Sequence, residues 1–263
     1  MITLKSDREV QQMKEASDVI VGMHMMLRDL IKPGLDTWEI ETKSREYIES
    51  HGAIPSQIGF EGFKYATTIS INDEVAHGLP RKGLKLQNGD LVKVDTVVEK
   101  DGGISDSAWT YKVGTVSPEH ERLYDVALES MYRGIDAAVV GNRLGDVGYA
   151  IQHYAEDENG FGDVRDYTGH GIGPTMHEDP QVLHYGTPGH GLRLKEGMTI
   201  TIEPMINTGT WEVITDHSAE DGWTVRTADG GWSAQFEHTI LITKDGPKIL
   251  TSQDPVRDAK YLL

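Results

Sequence analysis

The chain has no cysteine anywhere in its 263 residues. No disulfide framework can form, no thiolate can hold zinc, and no cysteine nucleophile exists. Positive charge is also scarce: 25 basic residues stand against 42 acidic ones, for a formal charge of −17. That balance disfavours tight, sequence-independent binding to nucleic acid or anionic lipid, and it serves solubility. Long apolar runs are missing too. The longest, Val19 to Leu27, is too short to cross a bilayer and contains His24. Charges at Lys5, Asp7, Arg8 and Glu9 stand where a signal peptide would be apolar, so a cytoplasmic location is expected. The chain carries no HExxH, GxSxG, P-loop or dinucleotide fingerprint, and no serine occupies a nucleophile elbow.

What the sequence does have is concentrated between Leu91 and Gly114. Leu91 to Val98 is rich in valine, and Ala108 to Val113 is aromatic and apolar. Between them Lys100, Asp101, Gly102 and Gly103 form the turn chemistry that joins antiparallel strands. The prediction is a hairpin with a carboxylate in each arm, Asp95 and Asp106. With a loop of even length, these positions are directly opposed or diagonal, and both side chains share one face. Like charges so placed repel, and partial burial strengthens the repulsion. Something positive is expected between them.

Around this hairpin the elements can be read in order. Ser6 with Glu9 forms a capping box, followed by an apolar stripe of Met13, Ala16, Ile20, Met23, Leu27 and Leu30. The stripe predicts a helix, ended by Pro33 and Gly34, whose methionines fill the core. Asp36 and Glu39 start a second helix that stops at Gly52. A loop bearing Gln57, Phe60 and Phe63 leads to a strand over Ala66 to Ile71, and Asn72 to Pro80 presents His77 beside Gly78. Ser117, Pro118 and Glu119 open a third helix running to about Val140. Gly141 to Gly145 breaks it, and Asp146 begins a fourth that fades near Gly160. The glycines and proline between Tyr167 and His177 exclude a helix there and let the backbone approach a bound group. Strands are predicted over Thr199 to Glu203, Gly222 to Thr227 and Ser233 to Thr243, the last with Glu237 in its middle.

The chain also repeats itself. Leu84, Lys85, Leu86, Gly89, Val94 and Asp95 align without a gap on Leu192, Arg193, Leu194, Gly197, Ile202 and Glu203. The order of helices, turns and strands around each copy is the same. An internal duplication is expected, with half-repeats at about 6–115 and 116–245 in one domain spanning 1–263. Each copy delivers an acid at the end of the same strand, and a pseudo-twofold axis between the halves would bring those acids together.

Asp95, Asp106, His170, Glu203 and Glu237 are the acids and histidine that fall in strands or glycine-rich segments; His77 and His177 accompany them. Four carboxylates and an imidazole form a hard, oxygen-dominated donor set suited to Mn, Fe(II), Co or Zn. That much negative charge exceeds what one divalent ion neutralises, so two ions are expected, and metal-assisted hydrolysis is the leading class of activity. His184 echoes His77, as Val182-Leu183-His184 resembles Val75-Ala76-His77, but is expected outside the site. His24, His51, His120, His153, His190 and His217 read as structural or surface residues.

Taken together, these motifs resemble the type I methionine aminopeptidases of the short bacterial kind. The resemblance covers nearly the whole chain. It is carried by Ser70-Ile71-Asn72 running into His77-Gly78, the Asp95 and Asp106 hairpin, Gly169-His170-Gly171-Ile172-Gly173, His177-Glu178-Asp179-Pro180-Gln181-Val182, Thr201-Ile202-Glu203-Pro204-Met205, Asp221-Gly222-Trp223-Thr224 and Ser233 to Thr239. Only 34 positions separate Glu203 from Glu237, which leaves no room for the helical insertion of type II members.

The resemblance implies an α+β, pita-bread (creatinase/aminopeptidase) fold, in which an internal pseudo-twofold surrounds a central antiparallel sheet covered by helices. It implies removal of the initiator methionine from nascent proteins and peptides whose second residue is small and uncharged, with a metal-activated water attacking the first peptide bond. Asp95 and Asp106 would bind one divalent ion. Asp106 and Glu237 would bridge to a second, completed by His170 and Glu203. Glu203 would also move the proton, His177 would contact the scissile carbonyl, and His77 the region of the scissile nitrogen. The methionine pocket maps onto Phe60, Phe63, Thr68, Met176 and Trp223, with Gln57 at its rim. The partners implied are nascent N-termini with a free methionine and a transient ribosome contact, for a monomer.

This chain departs from the commoner pattern at Thr96 and Val97, Thr68, Met176, Phe60 and Phe63, and the stretch from Thr208 to Glu220 is slightly longer than usual. Two other readings compete: an X-Pro or prolidase-type hydrolase, and a non-catalytic binding homologue, which would be expected to have lost ligands.

Overall fold

Ser6 caps α1 (Asp7–Leu30) as its sequence predicts: the side chain accepts from the Glu9 amide, and the Glu9 carboxylate reaches back to the Ser6 amide at 2.8 Å. The structure, a computed structural model, describes residues 2–215, 217 and 221–263, so residues 216 and 218–220 of the long 208–220 stretch lie outside the described residues. Asp36 caps α2 (Thr37–Ser50) and Ser117 caps α3 (Pro118–Ala137). The fourth helix, α4 (Leu144–Gln152), starts two residues ahead of Asp146. Asp146 acts from within its first turn, with Oδ2 accepting from the Arg143 amide at 2.7 Å.

The hairpin is present, with arms Leu91–Lys100 and Gly103–Lys112. Its loop is the dipeptide Asp101-Gly102, and both residues have positive φ, 51° and 84°, the geometry that matches the right-handed twist of the strands. In this register Asp95 faces Ala108 and Asp106 faces Val97. The two acids are therefore diagonal neighbours on one face. α1 crosses the hairpin so closely that a Cβ on Gly103 would lie 2.2 Å from the Gln12 carbonyl carbon. Met13, Ala16, Ile20, Met23 and Leu27 of α1 are buried, in the role expected of the stripe. The repeated stretches meet comparable partners: Lys85 forms an isolated antiparallel bridge with Asp36, and Arg193 forms one with Arg143. Gly89 and Gly197, before the two acid-bearing strands, both have positive φ.

Among the described residues the strand pairs are all antiparallel and fall into four sheets. Ser233 to Thr243 is not one strand. It divides into Ser233–Gln235, which pairs with Met205–Asn207, and His238–Thr243, which pairs with Thr199–Ile202. The register is continuous across the break, from Ile202 opposite His238 to Met205 opposite Gln235, which sets Glu203 against Glu237 in the gap. Pro204, with no amide hydrogen, cannot carry the ladder through.

At the break the chain turns to the hairpin instead. The Glu237 amide donates to Ala108 O at 2.9 Å, and Ser107 Oγ donates to Glu237 O at 2.9 Å. Thr239 Oγ1 donates to Asp106 O and accepts from the Asp106 amide, at 2.9 and 3.1 Å. Thr110 Oγ1 does the same for Gln235 O and N, at 2.6 and 3.0 Å. Hydroxyls thus complete a seam that backbone alone does not, and the seam holds Asp106 beside Glu237.

One buried charge away from the centre lacks a partner. Asp163, in the strand Gly162–Asp163, is fully buried, and neither of its carboxyl oxygens has a hydrogen-bond partner. It stands opposite Ile206, which in turn faces Ala234. Burial, and then the nearby Glu156 charge, push its pKa well above the usual carboxylate range. As pH rises past about 4 the unfolded chain loses this proton first, so the contribution of Asp163 to stability falls from there upward. Asp163→Val should raise the unfolding free energy at pH 7 by about 1–3 kcal/mol. The gain should shrink as pH falls below about 4, and urea titrations at both pH values measure it.

Candidate metal centre and pocket

The five expected ligands come to one cavity of about 650 Å³. Ligand atoms of Asp106, His170 and Glu237 lie within 4.8 Å of one another, and all three residues are buried. Asp95 and Glu203 flank this trio. Asp95 is the diagonal neighbour of Asp106 on one face of the hairpin, and Glu203 Oε1 lies 3.6 Å from His170 Nε2, which is 3.7 Å from Asp106 Oδ2. His170 Nδ1 is 2.9 Å from Gly171 O. A carbonyl only accepts, so Nδ1 carries a proton, and Nε2 is the ring nitrogen that faces the acids.

Burial raises the pKa of every acid in the cluster. Asp106 is pushed up to about 7. Glu203 is pushed up to about 8, with His170 working against the shift and the Asp106 and Asp95 charges adding to it. Asp95 and Glu237 are held well above the usual range by burial first and by Asp106 next. Asp95 Oδ1, Asp106 Oδ1 and Glu237 Oε1 are buried without hydrogen-bond partners. Buried acceptor atoms left unmatched, in a set of carboxylates and one imidazole lone pair, fit divalent cations of the Mn, Fe(II), Co or Zn kind.

Each ligand is braced by its surroundings. Thr201 Oγ1 donates to Glu203 Oε1 at 2.7 Å and accepts from the His170 amide at 2.9 Å, linking two ligands from different strands. The Glu203 amide donates to His184 Nε2 at 3.2 Å. His184 thus lies outside the cavity, as expected, but supports it from behind; burial depresses its pKa to about 3, so the ring is neutral. Lys93 is a further support that strand reading missed. It is buried on the same face of the hairpin as Asp95, and its Nζ donates to Asn72 O at 3.0 Å and Ser233 O at 2.9 Å.

His77 and His177 both line the cavity. Burial lowers the pKa of each; His177 falls to about 4, with the His170 and His77 charges contributing. Both are neutral near pH 7, and each can offer one hydrogen bond to a bound group. His77 sits at φ 56°, with its ring edge-on to Tyr167 at 5.3 Å. His177 packs against His170 at 4.4 Å and Phe60 at 5.1 Å.

Gln57, Phe60, Phe63, Thr68, Met176 and Trp223 line the same cavity, as mapped from the sequence. Phe63 meets Trp223 edge-on at 5.1 Å. Val97, one of the departures noted in the sequence, also lines the cavity, opposite Asp106. The lining further includes Tyr167, Met205 and Gln235, which sequence reasoning passed over. Strand periodicity could have found two of them, since Met205 and Gln235 stand two positions from Glu203 and Glu237. No lysine or arginine is among the lining residues described. The cavity therefore pairs an apolar, thioether-bearing wall with an acidic floor.

Comparison with known proteins agrees with this geometry. Residues 11–244 match metallopeptidase family M24. Methionine aminopeptidase 1 of Bacillus subtilis is 44% identical over 251 residues, which span 95% of this chain and 99% of that protein. The crystal structure of methionine aminopeptidase from Rickettsia prowazekii superposes with a TM-score of 0.92 at 43% identity, over 96% of this chain and 100% of that one. A streptococcal methionine aminopeptidase structure gives 0.90 at 50% identity, over 97% and 98%. The prolidase from Pyrococcus furiosus shares the fold at 24% identity and a TM-score of 0.76; 95% of this chain matches 66% of that one. With the donor set, the pocket and the full-length likeness in agreement, the chain belongs to metallopeptidase family M24, among its methionine aminopeptidases.

Proposed function

We propose that this chain removes the initiator methionine from nascent proteins and peptides whose second residue is small and uncharged, acting in the cytoplasm as a monomer on chains that leave the ribosome. We further infer that two divalent ions would be held here, one by Asp95, Asp106 and Glu237 and the other by His170, Glu203, Asp106 and Glu237. The observation that supports this most directly is the meeting of four acids and His170 at the floor of a cavity walled by Phe60, Phe63, Met176 and Trp223. The halves 6–115 and 116–245 are read as two copies of one unit, each contributing its strand-end acid.

The apolar wall receives the methionine side chain, to which aromatic edges and a thioether are well matched. The acidic floor and the absence of a lysine or arginine in the lining favour an incoming ammonium terminus. Bound divalent ions supply Lewis-acid polarisation and an activated water at neutral pH. His177 donates a hydrogen bond toward the scissile carbonyl as negative charge develops on its oxygen. His77 contacts the substrate near the scissile nitrogen. As the carbon–nitrogen bond breaks, Glu203 takes the proton of the adding water and returns it to the departing amine.

Three outcomes test this reading. Purified protein supplied with Mn, Fe(II) or Co should release methionine from Met-Ala-Ser, leave Met-Lys uncut, and leave Ala-Pro-Ala intact; cleavage of the last alone would favour an X-Pro hydrolase. Asp106→Asn should cut turnover by more than about a hundredfold and lower the metal stoichiometry while the chain stays folded. In metal-free protein the same change should raise stability, since it removes one of the repelling carboxyls. Finally, Mn binding should release protons, because raised carboxyls must ionise to become ligands. The release, read by calorimetry in buffers of differing ionisation heat, should be larger at pH 6 than at pH 9, where Asp106 at about 7 and Glu203 at about 8 have already ionised.

A further inference from the structure

We propose that Lys5 is a positioning residue for the methionine pocket: its ammonium, paired with Glu178, holds the segment 173–178 that carries Met176 and His177. The proposal rests on the reading of this cavity as a methionine site.

Lys5 precedes α1 and lies far from the site in sequence, yet its side chain is only 1% exposed. Nζ lies 2.6 Å from Glu178 Oε2. A buried ammonium survives only with a partner, and the Glu178 carboxylate, its side chain 13% exposed at the cavity wall, supplies it. The backbone of Lys5 is pinned independently, its amide donating to Gly197 O at 2.7 Å, in the turn before the strand Thr199–Ile202. The lysine therefore reaches the pocket from a fixed base.

The pocket segment is shaped around the stem of this side chain. A Cβ on Gly173 would fall 2.2 Å from Lys5 Cε and 2.7 Å from Nζ. A side chain at this position would therefore displace the end of the lysine from its place beside Glu178; the glycine serves space here, since its φ is not in the left-handed region. The Gly173 amide donates to Thr175 O at 3.2 Å, and the second Glu178 oxygen, Oε1, faces the Thr175 amide and hydroxyl at 3.4 Å each. The turn is thus wound around the ion pair, with residues 173 and 175 at one end and 178 at the other.

Met176 and His177 lie between these anchors. The His177 ring packs on His170 and Phe60, so a shift of the backbone that carries it would disturb both contacts. Without Lys5, Glu178 would be an unpaired anion facing the cavity. Its relief is to swing toward water, and the turn moves with it.

The test compares Lys5→Met and Glu178→Gln, singly and together, in Mn-loaded enzyme with Met-Ala-Ser and its norleucine analogue. Each single change should lower kcat/KM by about tenfold to a hundredfold and reduce the preference for methionine over norleucine, without changing Mn affinity. The double variant should be no worse than the worse single one. The absence of cysteine allows a direct rescue: Lys5→Cys, alkylated while unfolded with 2-bromoethylamine and refolded, regains an ammonium at the same reach and should recover activity, whereas the iodoacetamide adduct should not.

Unchanged rate and selectivity in both single variants, or losses that add in the double, would overturn the proposal. If Lys5→Met does not fold, the near-isosteric Glu178→Gln decides. Should the unmodified protein release no methionine, the functional reading fails, and the His177 ring resonance, assigned through His177→Gln, then decides the positioning role. A shift of that resonance in Glu178→Gln upholds the role, and an unmoved resonance rejects it.

Discussion

Four buried carboxyl groups within reach of one another at the floor of one cavity cannot all be ionised unless positive charge lies among them. At an effective dielectric of about 20, each close pair would cost on the order of a few kcal/mol, a large share of the stability of an ordinary domain. The unaccompanied centre answers by holding protons, which is why Asp95, Asp106, Glu203 and Glu237 all have raised pKa values. Divalent ions answer it differently, by exchanging those protons for charge that can do chemistry. The rest of the fold must hold the acids in place against their mutual repulsion in either condition.

How it does so is visible in the seam. A continuous sheet would spend the backbone groups of Phe236 and Glu237 on a ladder. Here the ladder is interrupted where the two glutamates face each other, and threonine and serine hydroxyls take over the joining of strands. Thr239 and Thr110 each satisfy both an amide and a carbonyl of the opposing strand. The break opens room for side chains that meet end to end, and the hydroxyl bonds keep that room from widening. Thr201 applies the same device to His170 and Glu203.

Much of this was legible in the residues. The Ser6 and Ser117 caps, the α1 stripe and the Asp101-Gly102 turn are local signals, and local signals survive folding. The four acids and one histidine stood out because charged side chains rarely occupy strand interiors unless something there needs them. Lys93 met that criterion as well and was passed over, since its partners, the carbonyls of Asn72 and Ser233, are backbone atoms that leave no mark in the sequence. The sheet switch at Phe236 and Glu237 was hidden for a related reason: Ser233 to Thr243 has one strand-like composition throughout, and only its neighbours reveal that it serves two sheets. Asp146 misled by two positions because an acid in the first turn and an acid at the cap satisfy the same amides. The pocket came through as a set of side chains, but its brace at Lys5 joins positions too far apart in the chain for any spacing rule.

That distance along the chain has its own consequence for biogenesis. Asp106 sits in the first half and Glu237 close to the end, and they are adjacent only because Ser233–Gln235 and His238–Thr243 dock against structure made much earlier. Pairings of such long span form late, after loop closure has been met elsewhere. A growing polypeptide that has emerged only as far as α4 has Asp95 and Asp106 but lacks His170 and both glutamates. The full donor set is therefore assembled only when the last strands dock, and a chain cut short before them cannot complete it.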